Sequence, residues 1–166
     1  LDWALDQDKH PVYIAIPSGP VVHAECPVRT NFDALNTYEV TRKGSKVAVL
    51  ALGDFYDLGE KTVEALSSTL GIEATLVKPY FASGVDQNLL DNLVKDHDVI
   101  VTIEDGIIEG GWGQNIASYL GTSSARVLNY GVKKAFYDRV NIADLMRESH
   151  LDPELIAADI KQVLGL

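Results

Sequence analysis

Unbroken apolar runs alternate along the chain with apolar stripes at helical spacing. VAVLAL (47–52) is apolar at every position, which fits a strand covered on both faces of a parallel sheet. Leu58, Thr62, Val63, Leu66 and Leu70 then share one side of a helix over about 56–70, and Gly71 ends it. IEATLV (72–77) follows as a strand. VDQNLLDNLVKDH follows as a helix with Asp86 as N-cap and Leu89, Leu90, Leu93 and Val94 facing inward. DVIVTIE (98–104) reads as a third buried strand, residues 114–120 as a short helix, ARVLNY as another strand and residues 142–147 as another helix. The last helix opens at LDPEL, with Asp152 as N-cap, Pro153 at the first helical position, and a stripe of Leu155, Ile156, Ile160, Val163 and Leu164.

The pattern before residue 47 is less regular. LDWALDQ has Leu1, Ala4 and Leu5 at helical spacing and resembles the last turns of a helix begun earlier, so a piece of a longer or processed chain is expected. HPVYIAIPSGP predicts a strand at Val12 to Ile16, stopped by Pro17, Gly19 and Pro20. Residues 18–35 show neither period and read as a linker. A compact domain over 36–166 then opens with two strands separated by a turn at Lys43 to Ser45. Strands alternating with helices of these lengths argue for an open α/β sheet with helices on both faces.

Composition narrows the function classes. The 166 residues carry a net charge of −10, from 24 acidic against 14 basic side chains, and this repels nucleic acid and anionic membrane surfaces. No apolar run approaches the ~20 residues that span a bilayer, and no basic-then-apolar leader opens the chain. A core of this size should bury ~70% of the unfolded chain's surface without help from disulfides or a metal. A single cysteine, Cys26, forms no internal disulfide and suits a reducing cytoplasm, so a cytoplasmic location is expected.

The densest candidate chemistry is VTIEDGIIEGGWGQNIASYLG (101–121). Glu104 and Asp105 stand at the carboxyl end of a strand, where ligands of open α/β sheets usually sit. Such carboxylates either act as acid or base, or simply cap the next helix. DGIIEGGWGQN matches neither GxGxxG nor GxxxxGKS/T, lacks a lysine for a phosphate, and sets Glu109 against any anion at the helix entrance. A nucleotide loop is therefore not expected. Gly106 instead supplies a turn after the strand, and Gly110, Gly111 and Gly113 allow close approach to a neighbouring chain or domain, with Trp112 as an interface anchor. His10, His23, His97 and His150 show no ligand spacing, and the cluster His23, Glu25, Cys26 in the linker is weak evidence for a metal, so no metal site is expected. Nothing identifies a base that would activate Cys26. Lys133, Lys134 and Arg139 supply cations for a phosphate, although a solvated surface is the simpler reading.

HDVIVTIEDGIIEGGWGQNIASYL resembles the HDvlvTvEeG…GGfGsav segment in the C-terminal domain of thiamine-diphosphate enzymes of the transketolase superfamily. Its match is closest to the 1-deoxy-D-xylulose-5-phosphate synthase family. KVAVLALGDFYDLGEKTVEAL, ATLVKPYFASGVDQNLLDNLVKDHD and LDPELIAADI are similar to other parts of that domain, in order. LDWALDQDKHPVYIAIPSGP is similar to the end of the preceding pyrimidine-binding domain, which assigns residues 1–17 as its tail. The resemblance implies a three-layer α/β/α, transketolase C-terminal-domain-like fold, with a mixed five-stranded sheet that is mostly parallel and has one antiparallel strand. It also implies a homodimeric parent using thiamine diphosphate and Mg²⁺. These would be held by domains absent from this chain, with a glutamate of the pyrimidine-binding domain activating the cofactor. The chain lacks the GDG…N metal motif, so it carries no catalytic residue of its own and is expected to be inactive alone.

The parent would decarboxylate pyruvate and join the two-carbon unit to glyceraldehyde 3-phosphate. Two departures bear on the acceptor. Ala15 and Ser18 replace the two arginines of the family's RyPRG stretch, and KKAFYDRV, with Lys133, Lys134, Arg139 and Val140, replaces PDrFIeHG. Phosphate recognition has moved to these cations, or the acceptor differs. Rival readings are the last domain of a transketolase or of a pyruvate dehydrogenase beta-type subunit, and a stand-alone binding or regulatory module.

Overall fold

The computed structural model describes residues 1–16 and 29–166, which form two compact units, 1–35 and 36–166. Ser18, His23, Glu25 and Cys26 lie outside the described residues.

In the first unit, helix α1 spans Asp2–Asp6, and the Trp3 indole donates to the Asp33 carboxylate at 2.8 Å. The strand expected at 12–16 does not form. Tyr13 and Ile16 are 92% and 82% exposed, and among the described residues no strand pairs with this segment. Apolar alternation marks the segment as competent for a strand, but a strand exists only when paired.

The second unit is built on one sheet. Its strands are β1 (Glu39–Arg42), β2 (Lys46–Ala51), β3 (Thr75–Lys78), β4 (His97–Ile107) and β5 (Arg126–Val132), in the spatial order β1-β3-β2-β4-β5. Only β1 runs antiparallel, against β3; the pairs β2–β3, β2–β4 and β4–β5 are parallel. The turn at 43–45 therefore does not close a hairpin, because β3 sits between the strands it joins in sequence. Gly44 is required there, since a Cβ would come within 2.0 Å of the Glu73 carbonyl oxygen.

Helices cover both faces, giving three layers. Val47, Val49 and Ala51 of β2 and Val99, Val101 and Ile103 of β4 face one cluster. Into it pack Leu58, Val63 and Leu66 of α2 (Tyr56–Leu70) and Ile156, Ala157 and Ile160 of α6 (Pro153–Leu164). Ala48, Leu50 and Ile100 face the other cluster, with Leu90 and Leu93 of α3 (Gln87–Asp96) and Trp112 and Ile116 of α4 (Trp112–Tyr119). The central strands are apolar at every position because alternate side chains enter different layers.

The expected caps are present. Gly71 takes φ 65°, ψ 25°, the left-handed conformation that closes a helix, and its N–H donates to the Ser67 carbonyl at 3.0 Å. Asp86 accepts from the Leu89 N–H at 3.0 Å, and Asp152 from the Glu154 and Leu155 N–H groups at 3.0 and 3.1 Å. The short helix α5 (Ile142–Glu148) is capped by Asn141 but buries none of its residues. His97 is a satisfied core histidine: one ring nitrogen lies 2.7 Å from the Thr75 hydroxyl and the other 2.8 Å from the Leu93 carbonyl oxygen.

Two boundaries around the glycine segment differ from expectation. β4 continues through Gly106 to Ile107, so the turn lies after Gly106 and not at it. The Val132 carbonyl accepts from the Ile108 N–H at 2.9 Å, and this pairing across to β5 carries the strand past the glycine. Helix α4 begins at Trp112, two residues before the expected start, because it is capped by a side chain from elsewhere in the chain.

Candidate functional site

Period-two alternation along β4 puts Ile100, Thr102 and Glu104 on the face covered by α4. Glu104 is 6% exposed, and its carboxylate meets the start of α4. One oxygen accepts from the Trp112 N–H at 2.9 Å and the other from the Gly113 N–H at 2.8 Å. Both N–H groups belong to the first turn of the helix and have no intrahelical partner, so a buried anion there satisfies them and the helix dipole together. Glu104 thus takes the capping alternative, acting from the neighbouring strand.

The glycines make this contact possible. A Cβ on Gly111 would lie 2.4 Å from the Ile107 carbonyl oxygen and 2.6 Å from Glu104 Oε1; one on Gly113 would lie 2.3 Å from Thr102 Oγ1. The close approach expected toward another chain or domain is therefore made within this domain, to its own β4. Gly110 serves differently: its φ of 83° turns the chain, and its N–H donates to the Gln114 side-chain oxygen at 2.5 Å.

Trp112 is not a surface anchor. It is 3% exposed, and its ring packs in the layer with Leu90 and Ile116. Its indole N–H donates to the Tyr38 hydroxyl at 2.9 Å, and the rings meet edge to face with centroids 6.0 Å apart. The Tyr38 hydroxyl in turn donates to the Gly84 carbonyl at 2.9 Å, and burial pushes its pKa up to about 12. A large aromatic among glycines looks like an exposed anchor in one dimension; the early start of α4 turns it inward.

Asp105 points the other way in the alternation and is exposed. Its carboxyl titrates above the usual aspartate range, first from partial burial and then from the negative charge of Asp54, in the 3-10 turn Gly53–Phe55 after β2. Lys133, Lys134 and Arg139 occupy an exposed stretch after β5. The Lys134 backbone N–H donates to the Glu109 carboxylate at 2.8 Å, and the Tyr137 hydroxyl donates to the Lys133 carbonyl at 2.9 Å. Among the described residues, no ion pair holds these three cations, and no group of three His, Cys, Asp or Glu side chains is placed to hold a metal ion.

The structure therefore joins Glu104, Gly111, Trp112 and Gly113 into one capping device. Sequence reasoning missed Tyr38, Thr102 and Asn129, which complete that neighbourhood; the Thr102 hydroxyl donates to Asn129 at 2.8 Å. Thr102 was legible as the polar position breaking an apolar strand two residues before Glu104, on the same face. Tyr38 and Asn129 gave no comparable signal.

The family model for the C-terminal domain of transketolase matches residues 36–156. A 1-deoxy-D-xylulose-5-phosphate synthase from Pseudoalteromonas translucida is 33% identical over 157 residues, covering 93% of this chain and 24% of that protein. The synthase of the same name from Clostridium tetani is 27% identical over 166 residues, covering 99% of the chain and 26% of that protein. The chain thus spans about a quarter of the length of these relatives. Among solved structures, a split-gene transketolase described as an inactive beta4 tetramer superposes with a TM-score of 0.69 at 23% identity, over 79% of this chain and 43% of that one. A transketolase variant from Pichia stipitis gives 0.55 at 15% identity, over 80% and 18%. At these identities the structural likeness establishes the fold.

Proposed function

The chain belongs to the transketolase C-terminal domain family, and on that premise we propose that it is the closing domain of a thiamine-diphosphate-dependent transferase resembling the 1-deoxy-D-xylulose-5-phosphate synthases. In this reading it makes dimer contacts and closes the active-site cleft, while the preceding domains carry the chemistry. One observation supports this division most directly: both oxygens of Glu104, the most buried acid at the carboxyl edge of the sheet, are occupied in capping α4. Buried, with each oxygen engaged by a backbone donor of α4, this carboxylate is committed to holding the helix.

The described residues do not fit thiamine diphosphate or Mg²⁺. They bring together no metal-ligating cluster, and the glycine turn presents Glu109 where a diphosphate would need a cation. No catalytic step is therefore assigned to this chain. The exposed, strand-competent residues 12–16 support reading residues 1–17 as the tail of a preceding domain, whose sheet would pair them. Residues 18–35 then act as the linker to the domain at 36–166.

Isothermal titration of the 166-residue chain with thiamine diphosphate and Mg²⁺ is expected to show no stoichiometric binding; a one-to-one isotherm would overturn the assignment of the cofactor to other domains. The parent reaction joins a pyruvate-derived two-carbon unit to an aldehyde. With Ala15 and Ser18 in place of two arginines, a full-length enzyme carrying this domain should use glyceraldehyde 3-phosphate poorly, with KM raised tenfold or more, about 1.4 kcal/mol of lost binding. Steady-state kinetics over a panel of aldehydes tests this, and an acceptor KM equal to that of enzymes with both arginines would show that Lys133, Lys134 and Arg139, or other groups, replace them.

A further inference from the structure

Helix α6 packs chiefly on α2, and β5, at the edge of the sheet, is only partly covered beside it. The gap is a groove of about 350 Å³, lined by Leu128, Asn129 and Tyr130 of β5 and by Asp159, Gln162 and Val163 of α6. Two periodicities build it. Leu128 and Tyr130, two apart on a strand, share the sheet face under α6, while Asp159, Gln162 and Val163 share one side of the helix at i, i+3 and i+4. The volume lies at the small end of the ~300–1,000 Å³ typical of small-molecule sites.

The polar groups of the lining decide the class of ligand. Asp159 is its only charged side chain. One oxygen, Oδ2, accepts from the Tyr130 hydroxyl at 3.1 Å and from His150 Nδ1 at 2.7 Å. Burial, and then the Asp159 charge, push the Tyr130 hydroxyl far above the usual tyrosine range, so it stays a neutral donor. Among the described residues, Asp159 Oδ1 and the Gln162 side-chain amide have no hydrogen-bond partner. Arg126, the cation of the same strand, donates to the Val163 carbonyl. The groove therefore offers a carboxylate oxygen and an amide oxygen beside the apolar walls of Leu128 and Val163. An ammonium group supplies donors and no acceptor, which matches that pair, and the net charge of −10 draws cations and repels anions.

We infer that the groove between β5 and α6 binds a small organic cation, a primary ammonium on a short aliphatic body. The ammonium meets Asp159 Oδ1 and the Gln162 amide oxygen, and the carbon body lies against Leu128 and Val163. Glu104 caps α4 on the opposite face of the sheet, so this site is separate from that device and does not depend on the closing-domain reading. The Asp159 side chain is 33% exposed, and water screens the charge pair. Affinity is accordingly modest, with Kd roughly 1–10 mM for a ligand of about five heavy atoms.

Titration of the 166-residue chain with n-butylammonium at constant ionic strength, followed by the backbone amide signals in nuclear magnetic resonance, tests the inference. Saturable shifts should centre on residues 128–130 and 159–163. n-Butanol and butyrate keep the carbon body without the positive charge and should bind at least about tenfold more weakly. Asp159→Asn retains an acceptor for Tyr130 and His150, so it should hold the fold, verified by thermal melts, while weakening n-butylammonium at least about tenfold. Gln162→Ala, at an exposed position, should weaken it about threefold, the worth of one modest hydrogen bond. Glu64→Gln, on the exposed side of α2, should change nothing. Shifts that do not saturate, that n-butanol reproduces, or that persist unchanged in Asp159→Asn overturn the site and leave only a general attraction of cations to an acidic surface. Should Asp159→Asn lose its fold, Gln162→Ala and the n-butanol comparison decide in its place: no weakening in either overturns the site.

Discussion

Replacing Glu104 with alanine should lower the melting temperature of the chain by about 10 °C. The carboxylate is 6% exposed and accepts from two backbone N–H groups that have no other partner. Its removal leaves both donors buried and unsatisfied, at about 1–3 kcal/mol each. Partial water entry makes about 3 kcal/mol the expected total, and a domain of this size loses about 3–4 °C for each kcal/mol. Glu104→Gln retains one acceptor but sets an amide N–H₂ against the second donor, so it should fall between alanine and the native residue. Thermal melts followed by circular dichroism check both variants, and a shift under about 2 °C for alanine would show that the cap is dispensable. In a full-length enzyme, kcat per folded molecule should survive Glu104→Gln. Loss of kcat with an unchanged melting temperature would instead place Glu104 in contact with the reacting atoms.

Gly113→Ala should be comparably damaging, by about 3 kcal/mol, for a steric reason. The added Cβ would lie 2.3 Å from Thr102 Oγ1, with Asn129 Oδ1 and Glu104 Oε1 both at 3.2 Å. Thr102 is fully buried on a central strand and cannot retreat, so α4 must move outward and lengthen its bonds to Glu104. Removing the obstructing hydroxyl provides the internal check: Thr102→Ala combined with Gly113→Ala should cost at least about 1 kcal/mol less than the sum of the single changes. Gly110→Ala makes the contrast. A Cβ added at Gly110 would meet nothing within 4 Å, so only the positive φ is penalised, at about 1 kcal/mol. Urea unfolding of the four variants measures all of these, and strict additivity would show that the clash is relieved elsewhere.

Legibility in the sequence follows the range of the forces. Helix α2 was readable to the residue because its stripe and its left-handed Gly71 are local facts. The same holds for Asp86 and Asp152, whose capped N–H groups lie two or three residues away. The resemblance carried by HDVIVTIEDG and the segments around it supplied the sheet's mixed character and the antiparallel edge, which no local pattern states. Val12 to Ile16 marks the limit: alternation encodes the preference for a strand, but the neighbouring strand that would make it one must come from elsewhere.

The candidate site divides in the same way. Glu104 and the glycines stood out by composition, and capping was one of the two roles open to the carboxylate. The choice between them depended on where the first turn of α4 lies relative to β4, a relation set by packing Trp112 and Ile116 against the sheet. The sequence by itself determined the alternation of layers, the local caps at Gly71, Asp86 and Asp152, and the acidic balance, because these depend on side-chain type and short spacing. Only the tertiary structure decided that the acid at the end of β4 is occupied, that Trp112 faces inward and that the glycines serve an internal contact. Those outcomes depend on atoms brought within hydrogen-bonding or van der Waals reach by the sheet and its covering helices, and linear spacing does not encode such distances.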